Sequence, residues 1–280
     1  MEKHQNLKRL MKNNRLFVIG FVICVLWILI AIVSIFYTPH DPLEGDIASR
    51  FAQPGSTHWF GADDLGRDIL SRVMAGSKIS IGAGLATIIL AAIVGSFFGG
   101  ISGYVGGIFD DILMRISELV QAFPTIILAM VITSALGPNL FNTVLAMVVV
   151  WWPNYARVMR SMVIQVKNNE YIRAARSLGA SNIRIFVKEI LPNSIGSIIV
   201  LATVDFGNAI LLFSGLSYLG LGSPPPTPEW GAMVSAGSGY FQHWWMATFP
   251  GIAILTMSLG ANFIGDGVRD LLDPKLRKEV

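Results

Sequence analysis

The stretch Leu16–Tyr37 reads LFVIGFVICVLWILIAIVSIFY and carries no charged side chain. As a helix it would rise about 33 Å, close to the roughly 30 Å hydrocarbon core of a bilayer. Hydrocarbon offers no water to a backbone amide, so such a run satisfies its polar groups by spanning as a helix. It is longer than the apolar core of a signal peptide, and no small-residue cleavage site follows it, so it reads as an anchor.

Five further stretches have the same character: Ile79–Gly103, Ile112–Leu136, Leu140–Met159, Ile195–Leu219 and Trp245–Ile264. The second of these begins with Arg115 and Glu118, but its uncharged remainder, Leu119–Leu136, still reaches spanning length. The 280 residues are 53% hydrophobic and only 14% charged, against about 25% charged in a soluble domain whose surface must be wetted. The expected fold class is an all-α membrane protein of six transmembrane helices. A net charge of +3 is too small to suggest nucleic acid. Cys24, the single cysteine, lies inside an apolar run and offers neither a disulfide partner nor a metal-ligand spacing.

Orientation follows from lysine and arginine, which stay on the cytoplasmic side. With the amino terminus inside, 17 of the 21 basic residues fall in cytoplasmic segments, leaving Arg50, Arg67, Arg72 and Lys78 outside. Both termini are therefore expected in the cytoplasm. The chain divides into a cytoplasmic tail at 1–15, an anchor helix at 16–37 and an external loop at 38–78. A five-helix core at 79–272, with a cytoplasmic loop at 160–194, and a cytoplasmic tail at 273–280 complete it. A second external segment, Gly220–Trp244, has no lysine or arginine and contains Pro224-Pro225-Pro226-Thr227-Pro228. Prolines favour extended backbone without internal hydrogen bonds, which suits a stiff lid or docking ledge.

The most informative internal segment is Asn168–Asn193, NNEYIRAARSLGASNIRIFVKEILPN. Asn168 or Asn169 can cap a helix, Glu170 falls in its positive first turn, and Gly179 can take the left-handed turn that ends it. Ala174 and Ala175 keep one side slim enough to enter a groove, and Arg173 and Arg176 are available for polar contacts. A second helix is expected from Ser181 or Asn182, stopping before Pro192. Ile183, Phe186, Val187, Ile190 and Leu191 follow the spacing of one buried face. A basic connector obeying the charge rule accounts for the arginines but not for this capped helix–Gly–helix–Leu-Pro arrangement. An amphipathic helix offered to the cytoplasm suits docking into a partner's groove.

This segment resembles the coupling loop of ABC importer permeases, E-A-A-x-x-x-G, nine residues, then I-x-L-P. Arg173, Ala174, Ala175, Gly179, Glu189, Leu191 and Pro192 occupy the matching positions, with Arg173 in place of the acid and Glu189 in place of the isoleucine. His58–Ser80 (HWFGADDLGRDILSRVMAGSKIS), Leu216–Gly231 (LSYLGLGSPPPTPEWG) and Gly265–Pro274 (GDGVRDLLDP) are similar to the dipeptide, oligopeptide and nickel permease family, and favour its shorter, C-type subunit. The resemblance implies a type I importer in a bacterial cytoplasmic membrane. Two related permeases would form the path, two ATPase subunits would bind below, and an external solute-binding protein would deliver the cargo. The coupling residues implied are Glu170, Arg173, Ala174, Ala175, Arg176, Gly179, Leu191 and Pro192. No G-x-x-x-x-G-K-[ST] phosphate loop is present. ATP and Mg would therefore belong to the ATPase subunits, and this chain is expected to be no enzyme and to bind no cofactor.

Gly95, Gly99, Gly103 and Gly107 recur every four residues, a spacing that lets two helices approach closely. Asp205, near the middle of the fifth span, costs about 2.5 kcal/mol or more in hydrocarbon and so should face a polar cavity or a partner. It is expected either to line the path or to serve as a hydrogen-bonded packing residue. Phe213 stands where many relatives carry an acid. Pro124, Pro153 and Pro250 can kink spans, and Trp151-Trp152 and Trp244-Trp245 suit the membrane interface. One histidine, His58, with Asp63, Asp64 and Asp68 is ordinary turn and cap chemistry, so no metal is assigned.

The function expected is a permease subunit for dipeptides or oligopeptides, with nickel or another peptide-like solute or chelate as the alternative cargo. A self-sufficient secondary transporter would call for an inverted repeat or several mid-membrane ionisable groups. The sequence has one clear mid-span acid and no evident repeat.

Overall fold

Asn14 opens the first helix: its side chain accepts the Phe17 N–H, and α1 runs Arg15–Phe36. The computed structural model describes residues 14–272, in which all regular elements are helical. Lys3, Lys8, Arg9, Lys12, Lys275, Arg277 and Lys278, on which part of the orientation argument rests, lie outside the described residues.

Asp68 caps α2, Ile69–Val105, by accepting the Ser71 N–H at 2.8 Å. At 37 residues the helix is about 56 Å long, far beyond one hydrocarbon core. Its first turns occupy the end of the segment 38–78. The amphipathic α3, Gly107–Gln121, and the apolar α4, Thr125–Leu136, follow, bent 93° to one another. The third expected span, Ile112–Leu136, is thus not one helix. Pro124 has no N–H to continue a helix and disfavours helical backbone in the residue before it. Pro153 and Pro250, by contrast, sit inside unbroken helices, α5 Leu140–Lys167 and α10 Trp245–Leu272. Between these lie α6 Glu170–Ser177, α7 Asn182–Ile185, a π-helical turn Phe186–Ile190, α8 Leu191–Tyr218 and α9 Trp230–Ser238.

Four of the described helices are long and apolar enough to cross a membrane: α1, α2, the continuous Asn182–Tyr218 and α10. The bent α3–α4 pair makes a fifth if it counts as one span. The remaining expected span falls in α5, which has the length but carries Arg157, Arg160 and Lys167 towards its end. In α5, Ala146, Met147, Tyr155, Ala156, Met159 and Val163 are all fully buried, and α5 forms with α2 the most extensive helix pair.

The glycine ridge explains that pair. A Cβ added at Gly95 would overlap the Trp152 carbonyl and Tyr155, and one at Gly99 would overlap the backbone of Ala156. At Gly103 it would lie 2.8 Å from the Arg160 carbonyl. The ridge therefore packs within this chain. Gly107 does not belong to it: nothing lies within 4 Å, and its φ of 64° marks the turn into α3. Beside the ridge, Arg160 grips Asp110 with two 2.6 Å bonds, and Ser102 donates to the same carboxylate. Arg160→Met would strand this nearly buried acid. The expected loss is about 3 kcal/mol, the low end of the range because Arg160 is one-third exposed. Thermal unfolding in detergent measures it, and Asp110→Leu in the same chain is expected to restore most of the loss.

The outer segments interlock. Asp63 accepts the Leu65 and Arg67 N–H groups and pairs with the Arg67 guanidinium at 2.7 Å. Arg72 donates to the carbonyls of Pro42 and Pro226. The proline run is not extended, because Pro224 accepts the Thr227 N–H in a turn. Trp245 is turned inward: it is 3% exposed, and its indole N–H donates to the Ala62 carbonyl. Glu229 is fully buried at the start of α9, where it accepts the Gly231 and Ala232 N–H groups and the Ser80 hydroxyl. Burial pushes its carboxyl above the usual range despite those bonds.

Candidate functional site

Asn169 occupies the cap position of α6, but only its backbone carbonyl is used, accepting from Ile172 at 3.1 Å and Arg173 at 3.3 Å. Glu170 lies in the first turn and Arg176 in the last, each suited to the helix dipole. Ile172 is 1% exposed, and Ala175 packs against the same core. Glu170, Arg173, Ala174 and Arg176 face outward. Gly179 has φ 82°, and its N–H and that of Ala180 close the helix on the Arg176 and Ala175 carbonyls. No atom lies near enough to exclude a Cβ at Gly179, so backbone conformation alone selects glycine. Ser181 then caps α7.

Beyond that point the structure departs from the sequence expectation. The second helix does not stop at Pro192; it continues as one rod to Tyr218. Pro192 has no N–H for the Lys188 carbonyl, and its ring would crowd that carbonyl in a regular helix. Just before it the backbone widens, and the Leu191 N–H reaches back to the Phe186 carbonyl, five residues away. This turn shifts the phase of the side chains. Ile185 and Ile190 are fully buried, and Phe186 and Leu191 pack partly against the core. Ile183 is 78% and Val187 52% exposed, opposite to the buried face expected for them. With Leu178 at 88% exposure, the segment presents large apolar side chains between arginines.

Tyr104, near the end of α2, ties this segment to the bundle. Its hydroxyl meets Asn182 Oδ1 at 2.9 Å, its ring lies edge-on to Phe186, and its carbonyl accepts from Lys167 at 2.6 Å. No periodicity or motif in the sequence pointed to it, because all three contacts are long-range. Asp205 is elsewhere, 7% exposed on α8 and beside the Tyr155 hydroxyl of α5. It is part of a helix–helix contact within this chain.

Long apolar helices and a bundle tightened by glycines together define a multi-pass helical membrane protein with an outward-facing helix–Gly–helix segment. Residues 95–278 match the family described as binding-protein-dependent transport system inner membrane component. Residues 5–54 match the N-terminal TM domain of oligopeptide transport permease C. The chain belongs to the binding-protein-dependent transport permeases, as a subunit of a bacterial inner-membrane ABC importer. It is 43% identical over 267 residues to the probable D,D-dipeptide transport system permease protein DdpC of Escherichia coli, covering 95% of this chain and 90% of that one. It is 41% identical to the oligopeptide transport system permease protein OppC of Bacillus subtilis, covering 95% and 88%. A chain of the inward-facing MetNI methionine ABC transporter shares the fold, with a TM-score of 0.52 at 18% identity over 69% of this chain and 94% of that one.

Proposed function

We propose that this chain forms half of the membrane path of a dipeptide or oligopeptide importer and receives the ATPase stroke through Glu170–Pro192. The observation that carries the reading is the exposure of Leu178, Ile183 and Val187 on a capped segment held to the transmembrane bundle. Large apolar groups outside the membrane gain by burial in a partner. The names of the relatives support peptides over nickel.

In this reading six spans place both termini and the segment in the cytoplasm, with α3–α4 as one broken span and α5 as another. Glu170, Arg173, Ala174, Arg176 and Gly179 enter a cleft on the ATPase, Ala175 seats the same helix on this chain's core, and Leu191 and Pro192 carry the motion into α8. A second permease supplies the other half of the path, two ATPase subunits hold ATP and Mg, and an external binding protein delivers cargo. ATP binding draws the coupling segments together and opens the path outward; hydrolysis resets it. Asp205, on α8 beside the Tyr155 hydroxyl of α5 and with one carboxylate oxygen unpartnered, lies at the edge of the path.

Purification of the assembly from native membranes, followed by uptake in proteoliposomes, tests the proposal. Labelled di- to pentapeptides should accumulate only with ATP and the binding protein. Accumulation of nickel alone would overturn the cargo, and uptake by this chain alone would overturn the machine. Tyr104→Phe should leave the assembly intact but loosen the Asn182 contact, lowering uptake per ATP hydrolysed several-fold. An unchanged ratio would remove Tyr104 from the coupling path.

A further inference from the structure

A groove of about 650 Å³ runs between α1, α2 and the α8–α10 face. Its rim is made of Ile28, Ile32, Ile35, Leu85 and Ile89, each roughly half exposed, and the buried Cys24 also lines it. The lining is apolar apart from two side chains that carry stronger polar groups. Thr203 already donates its hydroxyl to the Val200 carbonyl, and Lys78 is exposed with no ion pair among the described residues.

The geometry points to a phospholipid as the occupant, with one acyl chain in the groove and its phosphate on Lys78. Along α1 the lining extends from Cys24 to Ile35, and along α2 from Ile89 to Lys78. Eleven helical steps amount to about 17 Å, close to half of the roughly 30 Å hydrocarbon thickness. The groove therefore accommodates the chains of one leaflet, whereas a spanning helix of a partner needs about twice that length. Ile35, next to last in α1, and Lys78, in the third turn of α2, both line the groove on the side of the connecting segment 37–68, the end at which that leaflet's headgroups would lie. An ammonium there attracts a phosphate, and its four-carbon stem follows the apolar wall.

The test uses the assembled transporter in nanodiscs containing phosphatidylglycerol with a diazirine near the end of one acyl chain. Photolysis and peptide mapping should place adducts on Ile28–Ile35 and Ile81–Ile89. Leu85→Trp, which fills the groove, should reduce them at least tenfold. Lys78→Gln should reduce them about fivefold, the equivalent of one lysine–headgroup attraction, and should not affect adducts of a diazirine-bearing alkane. Retained ATPase activity shows that either variant still assembles. Adducts spread evenly over all lipid-facing helices would overturn the site. Insensitivity to Lys78→Gln would overturn the phosphate contact. Benzoylphenylalanine at position 32 capturing the second permease instead of lipid would replace the occupant altogether.

Discussion

Leu178→Asp combined with Ile183→Asp is expected to abolish peptide uptake and to reduce co-purification of the ATPase subunits by at least a hundredfold, with the permease still inserted in the membrane. The two side chains are 88% and 78% exposed. They contribute little to this chain's own core, and the bundle should tolerate their replacement. Burying each in a partner is worth about 1.5–3 kcal/mol, so their joint loss removes on the order of 3–6 kcal/mol of association. Aspartates in the same places must also be desolvated opposite whatever groups receive the apolar ones. Removal of Glu170–Gly179 should have the same outcome more drastically. Measurements of membrane insertion, ATPase co-purification and uptake on one preparation separate docking from folding. Full ATPase retention in the double variant would sink the assignment of this face.

Gly99→Leu is expected to destroy the fold itself. The added Cβ would overlap the carbonyl oxygen of Ala156 and lie only 2.7 Å from its Cα, and backbone cannot move aside as a flexible side chain can. α2 and α5 would have to separate along their whole contact, which exposes the fully buried Tyr155 and Met159. Overpacking inside an interdigitated core costs about 1–3 kcal/mol when side chains can yield. Here the obstacle is main chain, so the cost should exceed that range and the variant should fall to protease in the membrane. Gly106→Ala, at a site where nothing lies within 4 Å but φ is 72°, should cost much less. Limited proteolysis of the two variants side by side provides the comparison. A stable Gly99→Leu chain would mean that the ridge is not the α2–α5 contact.

Membrane residence, the all-helical class and the glycine-ended helix at Glu170–Gly179 were legible because each rests on local chemistry. Leu16–Tyr37 has no charge to reconcile with water, and Gly179 stands where a helix ends in left-handed backbone. The four-residue spacing of Gly95, Gly99 and Gly103 announced a close helix contact, but not its partner. Asp63 and Asp68 were readable as turn and cap residues for the same local reason: their acceptors serve N–H groups only two to four positions away.

Relations between distant residues were decided only on folding. The phase of Ile183 and Val187 depended on one π-helical turn that relieves Pro192, and such a turn leaves the apolar spacing of the sequence unchanged. Tyr104 acquired its role from Asn182, Phe186 and Lys167, which no helical period connects to it. Trp245 was drawn inward by a carbonyl at Ala62, and Asp205 was set beside Tyr155 by the packing of α8 on α5. The solvent each segment prefers, and where its helices begin, are written in hydropathy and capping residues, because those free energies are summed over near neighbours. Which faces meet, and therefore which remain free for an ATPase or a lipid, depends on steric fit between helices, and that exists only once the bundle has closed.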